Sequence, residues 1–268
     1  MARVIVFGNE KGGCGKSTVA MHLGVLLLRQ GGSVGVIDLD VRQRSVTRFF
    51  ENRQAFADRK GVPMVMPRMR EVEPSRLRDR EEAAAEDAAA LAAAVESLSS
   101  EVNDLVVDTP GASTTFSGAA HQRADHLVTP INDSFVDLDM LARVNPEDGR
   151  IVGPSRYTDA VWSARQWRAE RGLPPLQWTV MRNRMANLDA RNQRRMRRAL
   201  EEFSRQMGFR VATGFRERVI FRELFLNGLT LLDLADDGGF VRFTLSHVAA
   251  RQELRALATG MGLIAGDS

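Results

Sequence analysis

The stretch whose reading decides the fold is Gly8-Asn9-Glu10-Lys11-Gly12-Gly13-Cys14-Gly15-Lys16-Ser17-Thr18. From Lys11 onward it is a compressed glycine-rich phosphate-binding loop, Lys-Gly-Gly-x-Gly-Lys-Ser-Thr. The apolar run Val4-Ile5-Val6-Phe7 before it reads as a buried strand. After it, Val19, Ala20, Leu23, Leu26 and Leu27 fall on one face of a helix. A chance glycine turn would not carry both flanks, and strand, glycine loop and helix is the context this motif requires. Glycines let successive backbone N–H groups converge on phosphate oxygens, and the helix N-terminus adds partial positive charge. Gly12, Gly13, Cys14, Gly15, Lys16, Ser17 and Thr18 are therefore candidate nucleotide-binding residues. Lys16 is placed to reach the β- and γ-phosphates, and the Ser17 hydroxyl to ligate Mg²⁺.

Two further strands end in carboxylates. Residues 33–38 form a second buried run that closes in Asp38-Leu39-Asp40, and residues 102–107 run into Asp108-Thr109-Pro110-Gly111. The carboxyl ends of parallel strands are where doubly wound sheets bind ligands. The second of these segments has the form of a Walker B strand, with Asp108 holding Mg²⁺ and Gly111 admitting the backbone to the γ-phosphate. The alternative for each segment is an ordinary strand-end turn.

At 268 residues the chain suits one substantial α/β domain spanning 1–268. The expected architecture is a doubly wound, mainly parallel sheet with helices on both faces. Residues 44–60 read as a helix with Phe49, Phe50 and Phe56 inward, and the proline-broken stretch 61–80 as an excursion at the sheet edge. The alanine-rich stretch 81–98 reads as a crossover helix, so the whole edge insertion runs from about 61 to 100. Strands are expected at 125–129, 176–181 and 209–212, and helices at 156–171, with Val161, Trp162, Ala164 and Trp167 as its apolar bulk, and at 243–257.

Composition narrows the function classes. No apolar run approaches bilayer length, and Met1-Ala2-Arg3-Val4 enters a strand directly, so neither membrane span nor signal peptide is expected. The single cysteine, Cys14, rules out an internal disulfide, fits a reducing cytoplasm and argues against a cluster-bearing iron protein. His22, His121, His126 and His247 show no metal-ligand spacing and read as structural. The formal charge is only +3, yet from Arg182 to Arg222 there are twelve arginines against four acids. A helix over 190–207, capped by Asp189, puts Met196, Ala199, Leu200, Phe203 and Met207 on one face. Arg191, Arg194, Arg195, Arg198 and Arg205 lie opposite, and Arg216, Arg218 and Arg222 form a second basic group. Such a stripe is either a solvated face or a contact for DNA phosphates; the scarcity of interleaved acids favours DNA, read without sequence preference.

Lys11 is a second lysine that holding a nucleotide within one subunit does not require. It resembles the signature lysine of the deviant Walker A family of P-loop ATPases, the ParA/MinD type, although a solvated loop charge would look the same. Four further blocks, at 49–53, 130–137, 218–225 and 249–257, resemble the MipZ group of division-site positioning ATPases within that family. The resemblance implies ATP and Mg²⁺ as cofactors and an ATP-dependent homodimer in which Lys11 reaches the partner's nucleotide. It also implies that Asp40 orients the attacking water, that Asp38 joins Ser17 and Asp108 near the metal, and that Asn183 meets the adenine edge. A cytoplasmic, nucleoid-associated protein follows, binding non-specific DNA and ParB and inhibiting FtsZ assembly. The tail from Gly260 lacks the basic amphipathic helix of membrane-bound relatives, so no membrane partner is expected. The alternatives are a ParA-type partition ATPase and a metabolic P-loop enzyme of the dethiobiotin-synthetase type.

Overall fold

The structure, a computed structural model, describes residues 1–132, 135–145, 151–183, 190–216, 220–235 and 245–265. In chain order its elements are β1 (Arg3–Phe7), α1 (Lys16–Arg29), β2 (Val34–Asp38), α2 (Ser45–Lys60), β3 (Arg68–Arg70), α3 (Arg80–Ser99) and β4 (Asp104–Asp108). There follow α4 (Thr115–Arg123), β5 (His126–Asn132), α5 (Phe135–Leu138), β6 (Ala142–Val144), β7 (Ile151–Pro154) and α6 (Arg156–Glu170). The last are β8 (Gln177–Asn183), α7 (Ala190–Met207), β9 (Arg210–Thr213), α8 (Ile220–Phe225), a 3₁₀ turn (Asp233–Ala235) and α9 (Leu245–Gly260). Among the described residues, seven strands make one sheet in the order β3-β2-β4-β1-β5-β8-β9, and every pairing in it is parallel. The expected doubly wound α/β architecture is what the chain adopts.

Strand alternation divides the core into two. Val4 and Val6 of β1 face α3, α4, α6 and α7 through Leu91, Phe116, Val161 and Leu200, whereas Ile5 and Phe7 face α1, α2 and α9 through Leu23, Phe49 and Leu254. A parallel strand covered by helices on both sides must be apolar at every position, which is why Val4 to Phe7 is unbroken. Register then fixes the site. Phe7 and Asp38 both pair with Asp108, so β1, β2 and β4 end level and their following loops share one edge.

Several elements depart from the sequence reading. The excursion at 61–80 contributes β3, a three-residue edge strand of alternating arginines, Arg68-Met69-Arg70, too short and polar to show a periodicity. β5 runs on through Pro130, whose missing N–H falls beyond the end of β1; its carbonyl on that side accepts from the Asn9 side chain. Trp162 is 47 % exposed and does not supply the core of α6; Tyr157, Val161 and Ala164 do. The antiparallel ribbon β6–β7 and the short helices α5 and α8 had no sequence signal long enough to read.

Candidate active site

A cleft of about 550 Å³ opens at the carboxyl edge of the sheet, lined by Gly12, Gly13, Lys16, Ser17, Asp40 and Gly111 on its polar side. Its construction starts at α1. The helix is preceded by Gly15 in a left-handed conformation (φ 93°), and no side chain caps its first turn. Three other helices differ: Asp79, Thr114 and Ser155 cap α3, α4 and α6 with their own side chains. The uncapped N–H groups of α1 therefore face the cleft, and a helix N-terminus left this way is a ready anion site. Asn9 fixes the entry to the loop, accepting from Lys11 N–H at 2.7 Å while its amide holds Pro130. Cys14 is fully buried, its Sγ 3.3 Å from the Lys11 carbonyl; burial pushes its thiol pKa up, partly offset by Lys16. It fills the loop's variable position as a neutral side chain. Lys16 is buried with Nζ 3.3 Å from the Lys11 carbonyl, and Gly111 packs against both Gly12 and Lys16.

The acidic residues take distinct roles. The Ser17 hydroxyl donates to Asp108 Oδ2 at 2.6 Å, joining the loop to the end of β4. Asp108 is fully buried, and its Oδ1 has no hydrogen-bond partner among the described residues. Burial, reinforced by the nearby Asp38 and Asp40 carboxylates, pushes its pKa up to about 8 against the pull of Ser17 and Lys16. An unsatisfied buried carboxylate oxygen beside a serine hydroxyl, in a place that resists negative charge, fits a hard divalent cation such as Mg²⁺. Asp38 is used differently. Its Oδ2 accepts from the backbone N–H groups of Val46 and Thr47 and from the Thr47 hydroxyl, and its Oδ1 accepts from Asp40 N–H. It thus caps α2 from a distance, where Arg44 (φ 47°) offers no side-chain cap. Burial raises the Asp38 pKa, and these donors oppose the rise. Asp40, half-buried on the loop that Asp38 shapes, lines the cleft with Oδ1 accepting from Gln43 N–H.

Asn183 closes the far wall. Its Nδ2 donates to the Cys14 carbonyl at 2.7 Å and its Oδ1 accepts from Phe215 N–H at 3.1 Å. The residue expected at the adenine edge is thus also a brace between the phosphate loop and the segment after β9. Sequence reading missed the apolar wall beside it: Met21, Phe215, Phe221 and Phe225 line the same cleft. The i,i+4 pair Phe221 and Phe225 was its available signal. His22 packs behind that wall, edge-on to Phe215 and Phe221, with Nδ1 against the Thr18 carbonyl; burial lowers its pKa to about 4.

The basic residues separate into two places. On α7, Met196, Leu200 and Phe203 are buried while Arg194, Arg197, Arg198 and Arg205 are exposed, so the helix carries the amphipathic division that its spacing predicted. Arg216 and Arg222, of the second basic group, line the cleft, and Arg216 Nε lies 3.9 Å from Glu253. Arg218 and Asp189, and the side chains of Arg191 and Arg195, lie outside the described residues. Among the described residues no helix is long and apolar enough to cross a membrane.

A family model for the ATPase MipZ matches residues 3–265. The chain belongs to the MipZ family of ATPases. Solved structures with the same fold include apo McdA of Cyanothece, at 20 % identity and TM-score 0.65 over 98 % of this chain and all of that one. A plasmid partition protein of Borrelia burgdorferi bound to AMPPNP aligns at 16 % identity and TM-score 0.57 over 97 % of this chain and all of that one. MinD of Pyrococcus horikoshii with Mg-ADP aligns at 16 % identity and TM-score 0.58 over 98 % of each chain. Among curated proteins, the cytosolic Fe–S cluster assembly factor CFD1 of Yarrowia lipolytica is 39 % identical over 64 residues, 23 % of this chain and 22 % of that protein. The chain thus matches only about a fifth of that relative's length. The chain's parallel central sheet and surrounding helices are the fold shared with these McdA, partition-protein and MinD structures.

Proposed function

We propose that this protein is an ATP-driven dimerising switch that binds chromosomal DNA without sequence preference and positions division by inhibiting FtsZ assembly. Family membership supports the positioning role. The observation that carries the nucleotide half is the convergence of Lys16, Ser17, Asp108 and Asp40 on one cleft. Lys16 and the N-terminal N–H groups of α1 hold the phosphates, and Ser17 and Asp108, with Asp38 behind them, hold Mg²⁺. When bound, that ion neutralises charge developing on the transferred phosphoryl group. Asp40 orients the attacking water, and the apolar wall of Phe215, Phe221 and Phe225 receives the base. Lys11, on the outer lip of the loop with its side chain 41 % exposed, reaches the nucleotide of a second protomer. Slow hydrolysis returns the monomer.

The exposed arginines of α7 supply the DNA half. Each protomer contributes one stripe, so dimerisation doubles the phosphate contacts available to one duplex and strengthens binding by avidity. ParB and FtsZ are the protein partners that the family suggests, and a cytoplasmic, nucleoid-associated location accords with them. The deciding experiment is binding to non-specific duplex DNA with ATPγS and with ADP across a salt series. Tight, salt-sensitive binding with ATPγS alone supports the switch; no binding in either state removes DNA as the partner.

A further inference from the structure

We propose that Asp137 is a positioning residue that restrains Lys11 within its own subunit and so sets the threshold for dimerisation. This inference rests on the dimerising switch proposed above. Lys11 Nζ lies 2.6 Å from Asp137 Oδ1. The two ends of the pair differ in exposure: the lysine side chain is 41 % exposed and the aspartate side chain 4 %. Asp137 sits on α5, directly after β5, and α5 packs against β5, β6 and α7. The Lys11 backbone is tied to the same strand, because Asn9 accepts from its N–H and donates to Pro130 of β5. Backbone and ammonium are therefore both referred to the end of β5.

A lysine held this way cannot also reach across to the phosphates of a second protomer. Committing it there removes a counter-charge from a carboxylate buried beneath the surface, which costs free energy in each protomer. The pair thus favours the separate subunit and must be outcompeted by two nucleotides at once. Beside it on α5, Val136 is 73 % exposed, an apolar side chain at the lip from which Lys11 would cross. With one partner half in solvent, the pair is worth roughly a two- to fivefold change in equilibrium constant. A dimer breaks it twice, so removal should tighten the dimer by about 4- to 25-fold.

The test uses Asp137→Asn, which keeps size and removes charge, in analytical ultracentrifugation with ATPγS, beside ADP affinity of the monomer. A dimer tightened by that factor with ADP affinity unchanged supports the restraint. A wild type that dimerises beside an Asp137→Asn protein that dimerises equally or less well overturns it. A wild type that stays monomeric with ATPγS overturns the switch itself and this inference with it. The chain has only three lysines, Lys11, Lys16 and Lys60, so a second measurement needs no variant. In nucleotide-free wild type, amine acylation read by mass spectrometry should label Lys11 several-fold more slowly than the exposed Lys60. Equal or faster labelling of Lys11 overturns the inference even if the variant fails to fold.

Discussion

Asn183→Ala is the perturbation that best separates bracing from base reading. In the structure the Asn183 side chain satisfies two buried backbone groups, the Cys14 carbonyl at 2.7 Å and the Phe215 N–H at 3.1 Å. Truncation leaves both without that partner, and an unsatisfied buried polar group costs about 1–3 kcal/mol. The side chain borders the cleft, so water can enter the space and the lower figure applies to each, giving about 2 kcal/mol in all. For a chain of this size that corresponds to a fall in Tm of roughly 4–8 °C. The phosphate loop loses its tether at the same stroke, so affinity should fall for ATP and for inorganic tripolyphosphate alike. The assays are thermal unfolding of the nucleotide-free protein and calorimetric titration with each ligand. If Asn183 served only to read adenine, the free protein would melt unchanged and tripolyphosphate would bind as before. That pair of results would refute the bracing argument.

Asp40→Ala should still form the ATP-dependent dimer while hydrolysis falls by about 10²-fold, because an acceptor for the attacking water is lost and no phosphate contact is; unimpaired turnover in a phosphate-release assay would remove Asp40 from the mechanism. Arg194→Ala combined with Arg198→Ala should weaken DNA binding and reduce the slope of log affinity against log salt by about two per protomer, with nucleotide affinity unchanged. Unaltered binding in fluorescence anisotropy would return the stripe to solvated surface. Burial holds His22 and His121 at pKa values of about 4. The unfolded chain, with histidines near 6.5, therefore binds more protons between those values. The stability they contribute is complete above pH 6.5 and is lost as pH falls towards 4, at up to about 1.4 kcal/mol per pH unit for each histidine. Urea denaturation across that window should show the slope, and His22→Leu should lessen it; a slope unchanged in the variant would contradict a buried, neutral His22.

Much of this was legible in the chain because the informative signals are local. β1, β2 and β4 are short apolar runs that each end where a functional loop or carboxylate begins, and parallel pairing then brings Phe7, Asp38 and Asp108 level without further information. The amphipathic split of α7 is likewise a matter of spacing alone. What stayed hidden depends on contacts across the chain. β3 has three residues and takes its strand character from β2, not from any pattern of its own. The brace at Asn183 joins residues 169 positions apart, and nothing near Asn183 in sequence announces Cys14.

Arg216 and Arg222 show how linear reasoning can misplace charge. Counted along the chain, they form a second basic group after the run of α7 and read as a further DNA contact. The fold separates the two groups at β9, which returns to the sheet beside β8 and delivers the following residues to the cleft. Both side chains line the cleft while remaining exposed, so their charge is positioned beside the proposed nucleotide site, apart from the stripe on α7. The structure thereby sharpens the DNA prediction: replacing Arg222 should lower ATP affinity before it affects DNA, whereas replacing Arg194 and Arg198 should do the reverse. A variant of Arg222 that binds ATP normally but DNA poorly would return this residue to the DNA contact and overturn this division of labour.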